Sequence, residues 1–227
     1  MGTKPQMSGS GYWIEENVLS ARECDQLLDV LSASAMKRGR AGARHLMSHP
    51  AVAALASHFR MLELARRVLG DQAVPYRATL FEKSGRANWL VVWHQDTALP
   101  LESAFAAPEW GPWSRKAGIN YAHAPTWALS RILALRLHLD ASTRDNGPLR
   151  VVPGSQAAGV MTDEEVFALA GARNHVECLV GRGGVLAMRP LLIHSSSKAR
   201  SGGLRRVLHI EYADSLELAA GIRLAVA

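Results

Sequence analysis

The spacing of apolar residues along the chain changes character once, near Gly70. Upstream it is helical: Cys24, Leu27, Leu28 and Leu31 recur at intervals of three and four and so share one helix face. Ser20-Ala-Arg-Glu23, just ahead of them, has the Ser-x-x-Glu form of a capping box, which satisfies the free amides of a helix start. A second amphipathic run extends from Pro50 to Leu69 through Val52, Leu55, Phe59, Leu62, Leu64 and Val68, and Gly70 ends it. Ahead of both, Gly11 to Leu19 reads as a strand and turn.

Beyond Gly70 the pattern becomes extended. Short runs rich in branched and aromatic residues occupy Val74–Glu82, Trp89–Trp93, Ile132–Asp140, Leu149–Val152, Val176–Val180, Gly184–Arg189 and Arg206–Ala213, with Gly, Pro, Asn and Asp between them. A further run leads into His194, so the count approaches the eight strands of a jelly roll, two sheets around a cavity. The pattern predicts a mainly β core over residues 74–213, supporting helices at 20–70 and a single domain over 1–227 with a flexible, polar lead-in at 1–10. Asn146-Gly147 and Pro153-Gly154 mark tight turns. Thr162-Asp-Glu-Glu165 is a second capping box, opening a helical insertion with Val166, Phe167 and Leu169 that packs outside the barrel.

Two segments carry more than fold. In Ile132–Asp140, Leu133, Leu135, Leu137 and Leu139 share one face and belong to a core, while Arg136, His138 and Asp140 share the other. For His138 taken alone, a solvent-facing or structural role is the simpler account than metal binding. Thr97 to Trp127 is Pro- and Trp-rich without clear periodicity. A connection that long is disordered or functional, and three tryptophans argue for order. It is expected to be a lid or pocket wall, with Trp110, Trp113 and Lys116 near a substrate, or a plug over the barrel mouth.

The candidate chemistry centres on Asn88-Trp-Leu-Val-Val-Trp-His-Gln-Asp96. In an extended strand, residues two apart point to the same face, so His94 and Asp96 project side by side. Two imidazoles and a carboxylate on one face of an ion, with other positions open, are the ligand set of non-haem Fe(II) oxygenases. His194, closing the apolar run from Val185, offers the third ligand. Arg205 follows eleven positions later, where a guanidinium could hold the far carboxylate of a dicarboxylic cosubstrate.

In these residues the chain resembles the phytanoyl-CoA dioxygenase-like branch of the Fe(II)- and 2-oxoglutarate-dependent oxygenases. The resemblance rests on Leu80-Phe-Glu-Lys-Ser84 through Asp96, on Trp110-Gly-Pro-Trp-Ser-Arg-Lys116, on Leu135-Arg-Leu-His-Leu-Asp140, on Asn146 to Ser155, and on His194 with Arg205-Arg206. These blocks run in family order over about residues 75–213. The resemblance implies a double-stranded β-helix, the cupin-like jelly roll, and a hydroxylase using Fe(II), 2-oxoglutarate and O₂. It makes His94, Asp96 and His194 the catalytic metal ligands and places Arg205, Ser196, Arg136 and Lys83 at the cosubstrate. Arg44, in the glycine-punctuated loop Gly39–Arg44, corresponds to a basic residue that relatives bring over the active site. Asn88 is a further candidate near the substrate. Halogenating relatives lack the carboxylate that stands here as Asp96, so hydroxylation rather than halogenation is implied. Gln156 stands where relatives commonly carry His, and Ser195 to Ala199 departs from their usual run, so the substrate is not taken to be phytanoyl-CoA. A cupin-like metalloenzyme without 2-oxoglutarate, or a non-catalytic jelly-roll binding protein, are the alternatives; neither needs Arg205.

Composition adds outer limits. The formal charge of +6 and pI near 9.7 favour an anionic small-molecule substrate. The 26 Lys and Arg are dispersed, which argues against nucleic acid, where basic residues cluster. No stretch reaches the ~20 apolar residues of a membrane span, and the N-terminus has no secretory apolar core, so a cytoplasmic protein is expected. Cys24 and Cys178, far apart, are expected to be reduced and buried. Oligomeric state and the prime substrate are not encoded in any motif.

Overall fold

The computed structural model describes residues 9–39, 41–84, 88–200 and 203–227, so the lead-in expected at 1–10 falls almost wholly outside the described residues. β1 (Tyr12–Glu15) precedes α1 (Ala21–Ala33). The capping box forms: Glu23 N donates to Ser20 Oγ at 3.3 Å, and Ser20 N to the Glu23 carboxylate at 2.8 Å. After β2 (Arg38–Gly39) and β3 (Gly42–Arg44) come α2 (Pro50–Ala56) and α3 (Phe59–Leu69). The continuous helix expected over 50–69 is therefore broken. His58 leaves the helical region at φ −69° and ψ 142°, and its side chain accepts the Arg60 amide to cap α3.

β4 (Val74–Lys83) and β5 (Val91–His94) follow. The segment without evident periodicity then forms a three-stranded sheet of β6 (Ala98–Leu101), β7 (Trp113–Lys116) and β8 (Ile119–His123), ending in α4 (Thr126–Leu129). β9 (Ile132–His138), β10 (Leu149–Val151), α5 (Asp163–Ala172), β11 (Val176–Cys178), β12 (Val185–Met188), β13 (His194–Ser196) and β14 (Arg205–Ala213) complete the core. β15 (Glu217–Ala219) and β16 (Ile222–Arg223) make a closing hairpin.

Two antiparallel sheets result. The larger has the order β1-β12-β9-β14-β4-β3-β2 and the smaller β11-β10-β13-β5. On the outer face of the larger sheet, Leu133, Leu135, Leu137 and Leu139 pack with Leu208, Ile210 and the apolar faces of α1 and α3. All four leucines are fully buried, each stabilising the fold by about 1.5–3 kcal/mol. The inner face is different in kind. Its register sets Lys83 beside Arg205, Phe81 beside Val207 and His138, Thr79 beside His209 and Arg136, and Arg77 beside Glu211 and Ala134.

That polar inner face is what the alternation in β9 signalled, and it faces a cavity rather than solvent. Arg206, one residue out of phase with Arg205, turns away and pairs with Asp140 at 2.7 Å. Cys24 and Cys178 are buried free thiols, and burial pushes that of Cys178 up to about 12. Among the described residues no helix is long and apolar enough to cross a membrane.

Candidate metal centre

His94 and His194 lie at directly opposed positions of β5 and β13, with ring centroids 4.2 Å apart. Asp96 follows β5 by two residues, its amide held by Pro190 O at 2.9 Å. One ligand atom from each of the three lies within 4.8 Å of the others. The Asp96 carboxylate stands 3.7 Å from His94 Nε2 and 3.5 Å from His194 Nε2. These separations are too long for hydrogen bonds and suit donors arranged around one ion.

The backbone prepares both rings for that task. His94 Nδ1 lies 2.8 Å from Val92 O, and His194 Nδ1 lies 2.8 Å from Leu192 O. A carbonyl only accepts, so each Nδ1 carries the proton and each Nε2 keeps its lone pair toward the centre. Burial pushes the pKa of His194 down to about 3 against the pull of Asp96, so its ring is neutral at physiological pH. Burial works against the Asp96 carboxylate, but His194 and His94 outweigh it and hold the carboxyl below the usual carboxylate range.

Gln95, between two ligands, faces the other way. Its side chain donates to Gly159 O and Leu191 O, both at 2.8 Å, and accepts from Met161 N at 3.0 Å. It pins the ligand-bearing strand to two loops. Sequence reasoning passed over it, although alternation through His94 and Asp96 already set it on the opposite face of the strand.

Two chambers meet at the triad. The inner one, about 100 Å³, is lined by Arg136, Arg205, Ser196, Phe81, Trp89 and the three ligands, among others. Arg205 is 5% exposed, and among the described residues its Nε and Nη1 have no hydrogen-bond partner; Arg136 Nε and both ring nitrogens of His138 are likewise buried and without one. Buried donors left open in this way call for an acceptor that the chain itself does not supply. Burial, then the neighbouring Arg136, pulls Arg205 down to about 10. Lys83 sits behind, donating to Ser196 Oγ at 3.0 Å and Ser197 O at 2.6 Å; burial and Arg205 lower it to about 8. Ser196 Oγ in turn donates to Gly147 O at 2.8 Å. Gly147 is needed there: at φ +67° a Cβ would lie 2.3 Å from Ser197 O.

The outer chamber, about 370 Å³, opens on the other side of the triad and is lined by Arg44, Arg77, Lys116, Tyr121, Thr97 and His123, with Phe81 shared. Arg77 is buried against Glu211, which outweighs the cost of burial and raises its pKa. Thr97 Oγ1 and His123 Nδ1 lie 2.7 Å apart. Neither Tyr121 nor His123 was singled out from sequence. The signal was present, since Ile119-Asn-Tyr-Ala-His123 alternates after an Ala117-Gly118 turn.

Of the substrate candidates, the structure brings Arg44 and Lys116 to the outer chamber. It places the other three elsewhere. Trp110 is buried edge-to-face against Phe105 and Trp127, and Trp113 packs on Phe105, so both serve an apolar cluster beneath the small sheet. Asn88 makes a two-way clamp with the Ala199 backbone at 2.8 and 2.7 Å. Trp110 and Trp113 thus pack within the segment rather than line either chamber, and Asn88, upstream of the segment, ties its loop to the one at Ala199.

Comparison with known proteins places this geometry. The chain is 26% identical over 178 residues to an L-proline trans-4-hydroxylase from Streptomyces griseoviridis, a match covering 67% of this chain and 59% of that protein. It thus spans less than two-thirds of that relative's length. Among solved structures, apo EctD from S. alaskensis superposes with a TM-score of 0.69 at 24% identity, over 96% of this chain and 76% of that one. The same protein has been crystallised with 2-oxoglutarate and 5-hydroxyectoine and with bound Fe. SnoN, an α-ketoglutarate-dependent epimerase of nogalamycin biosynthesis, superposes with a TM-score of 0.67 at 18% identity, over 93% and 80% of the two chains. The phytanoyl-CoA dioxygenase profile matches residues 7–207. A His-x-Asp pair, a distant His and a jelly-roll frame thus come with a match over most of the sequence, and the chain belongs to the phytanoyl-CoA dioxygenase (PhyH) family.

Proposed function

We propose that this protein is an Fe(II)- and 2-oxoglutarate-dependent dioxygenase that hydroxylates a C–H bond of a small molecule bearing an acidic group. The observation that carries this reading is the meeting of three ligand atoms with a buried chamber of orphaned guanidinium donors. His94, Asp96 and His194 would hold the iron through Nε2, a carboxylate oxygen and Nε2. When bound, the metal with 2-oxoglutarate and O₂ supplies the oxidation, releasing succinate and CO₂ and delivering one oxygen atom to the substrate.

The chain's own residues do the rest. Arg205 offers a planar fork to the distal carboxylate of the cosubstrate, with Ser196 beside it and Lys83 adding charge behind. Arg136, stacked on Phe81 with its guanidinium 5.3 Å from the ring centroid and 3.0 Å from His209 Nδ1, walls the same chamber. Water is limited there by the volume of the chamber and its aromatic lining. A cupin-like enzyme without the cosubstrate would leave the buried Arg205 without purpose.

Among the described residues lining the outer chamber Asp96 is the sole carboxylate; Arg77 is already paired with Glu211, which leaves Arg44 and Lys116 as the cations without a carboxylate partner. An acid group on the substrate complements that excess. Hydroxylation is the outcome favoured by the proline hydroxylase and by the retained Asp96. The fold alone does not choose it, since an epimerase shares it. The experiment is anaerobic iron loading, then addition of O₂ and 2-oxoglutarate with a panel of small acids and their neutral analogues. Succinate formation stimulated by an acid, with a +16 Da product, is expected. Stimulation by neutral analogues alone removes the charge assignment, and no succinate under any condition removes the oxygenase.

A further inference from the structure

The outer chamber does not end at its own wall. A third cavity, about 480 Å³, lies beyond it and shares four lining residues with it: Arg44, Thr79, Phe81 and Lys116. The boundary is marked by a bridge overhead. His45 lines the far cavity and Tyr121 the near one, and His45 Nε2 lies 2.8 Å from Tyr121 Oη. His45 reaches this position from left-handed backbone, φ 59° and ψ 44°, a conformation that a non-glycine residue keeps where its surroundings over-determine it. The Lys116 ammonium sits 5.3 Å from the centre of the Tyr121 ring and helps to hold it. The four shared residues and the His45–Tyr121 contact set the two chambers side by side, with the near one reaching His94 and Asp96 of the triad.

The far chamber has a distinct electrostatic character. Lys37, Arg38, Arg44, Lys116 and His45 line it, and among the described lining residues there is no carboxylate. Arg38 is partly neutralised by Glu82 at 3.1 Å. Among the described residues Lys37, Arg44 and Lys116 pair with no carboxylate. Either chamber alone falls within the 300–1,000 Å³ range of ligand pockets, as do the two together.

We infer that the far chamber is a second subsite for the same substrate, taking a phosphate or carboxylate carried at the end remote from the reacting C–H. The substrate is then elongated, with its oxidised end at the triad and its acidic end past the His45–Tyr121 bridge. This rests on the oxygenase reading only for what happens at the near end.

The test needs no turnover. Anaerobically iron- and 2-oxoglutarate-loaded protein is titrated calorimetrically with phenyl phosphate, benzoate and benzyl alcohol at fixed ionic strength. One or both acids should bind 1:1 and the alcohol should not, the tighter acid naming the group. Lys37→Glu should weaken that acid at least fivefold. Arg22→Glu, the same charge change in the first turn of the 13-residue α1, whose last residue precedes Lys37 by four positions, should alter it less than twofold. Equal losses in both variants, no loss in Lys37→Glu, no acid binding, or equal binding of the alcohol each overturns the inference. Intact acid binding in Lys37→Glu would confine the anion to Arg44 and Lys116, leaving the proposed oxygenase untouched. Conversely, a protein that never forms succinate still answers this titration.

Discussion

The two chambers beside the triad are built by different means. The inner one is made almost entirely by long paired strands: Arg205 and Lys83 face each other across β14 and β4, Arg136 comes from β9, and Ser196 from β13. Its register is set by the apolar face of the same strands, which a one-residue slip would turn into the cavity. The outer chamber borrows its floor from β4 but takes Arg44 from the short strand β3, next to the sheet's edge, and Lys116, Tyr121 and His123 from the small three-stranded sheet. On the proposed reading, the wall of long paired strands holds the groups that bind the cosubstrate, and the short elements hold the groups that choose what reacts.

Removing a triad ligand tests the element both chambers share. His194→Ala should lower iron affinity by more than about 100-fold, beyond the 10–100-fold typical of changing an outer partner of a ligand. Oxygen-dependent succinate formation should be lost, with the circular-dichroism spectrum unchanged. An undiminished metal affinity would dissolve the centre itself. Arg205→Ala separates the chambers next. Cutting one side of a buried charged contact costs about 2–5 kcal/mol, so the 2-oxoglutarate Kd should rise about 30-fold or more while iron affinity stays within about threefold. Arg205→Lys should recover only part, since an ammonium lacks the two-pronged geometry. Equal 2-oxoglutarate affinity in Arg205→Ala takes the arginine out of its role.

The same contrast explains what could be read from the chain in advance. Alternation set His94 and Asp96 on one strand face and Arg136 with His138 on the polar face of another, while Arg205 was reached by its spacing from His194 and by the family resemblance. The distant His194 emerged because it closes an apolar run. Helix starts were legible at Ser20 and Thr162, where local side-chain chemistry decides the matter and both capping boxes form. The outer chamber was harder. Arg77 looks like any strand arginine until Glu211 is known to lie across from it, a pairing between residues far apart in sequence. Trp110 and Trp113 advertised a pocket by composition, yet aromatic side chains serve a core as readily as a ligand, and here the core took them.

A smaller effect is expected from pH. Lys83 is fully buried and its folded-state pKa lies at about 8, lowered by burial and by Arg205, against about 10.4 when exposed. Between those values the unfolded chain binds more protons, so this residue makes stability rise with pH from about 8 to about 10.4. Binding a dicarboxylate works the other way and favours the protonated amine. At pH 9 only about a tenth of Lys83 stays protonated in the free protein, so 2-oxoglutarate affinity should fall from pH 7 to pH 9 by at most about tenfold. Lys83→Met should flatten that profile. A profile that persists in Lys83→Met assigns the titration elsewhere.

The smallest changes should come from the outer edge, and they bear most directly on the contrast. Arg44 and Lys116 are exposed, so water and salt screen whatever they hold. Exposed ion pairs are worth about 0.2–1 kcal/mol, which converts to at most about fivefold in affinity. Arg44→Ala and Lys116→Ala should therefore each raise the KM for an acidic substrate by up to about fivefold, leaving kcat and the 2-oxoglutarate KM nearly unchanged. Raising ionic strength should reproduce the effect in the unmodified protein and shrink it in the variants. A mutation in a strand-built wall that displaced Arg205 would instead change the cosubstrate KM. If Arg44→Ala weakened 2-oxoglutarate as much as the substrate, the chambers would not be independent, and the division between a fixed interior and an adaptable rim would fail for this protein.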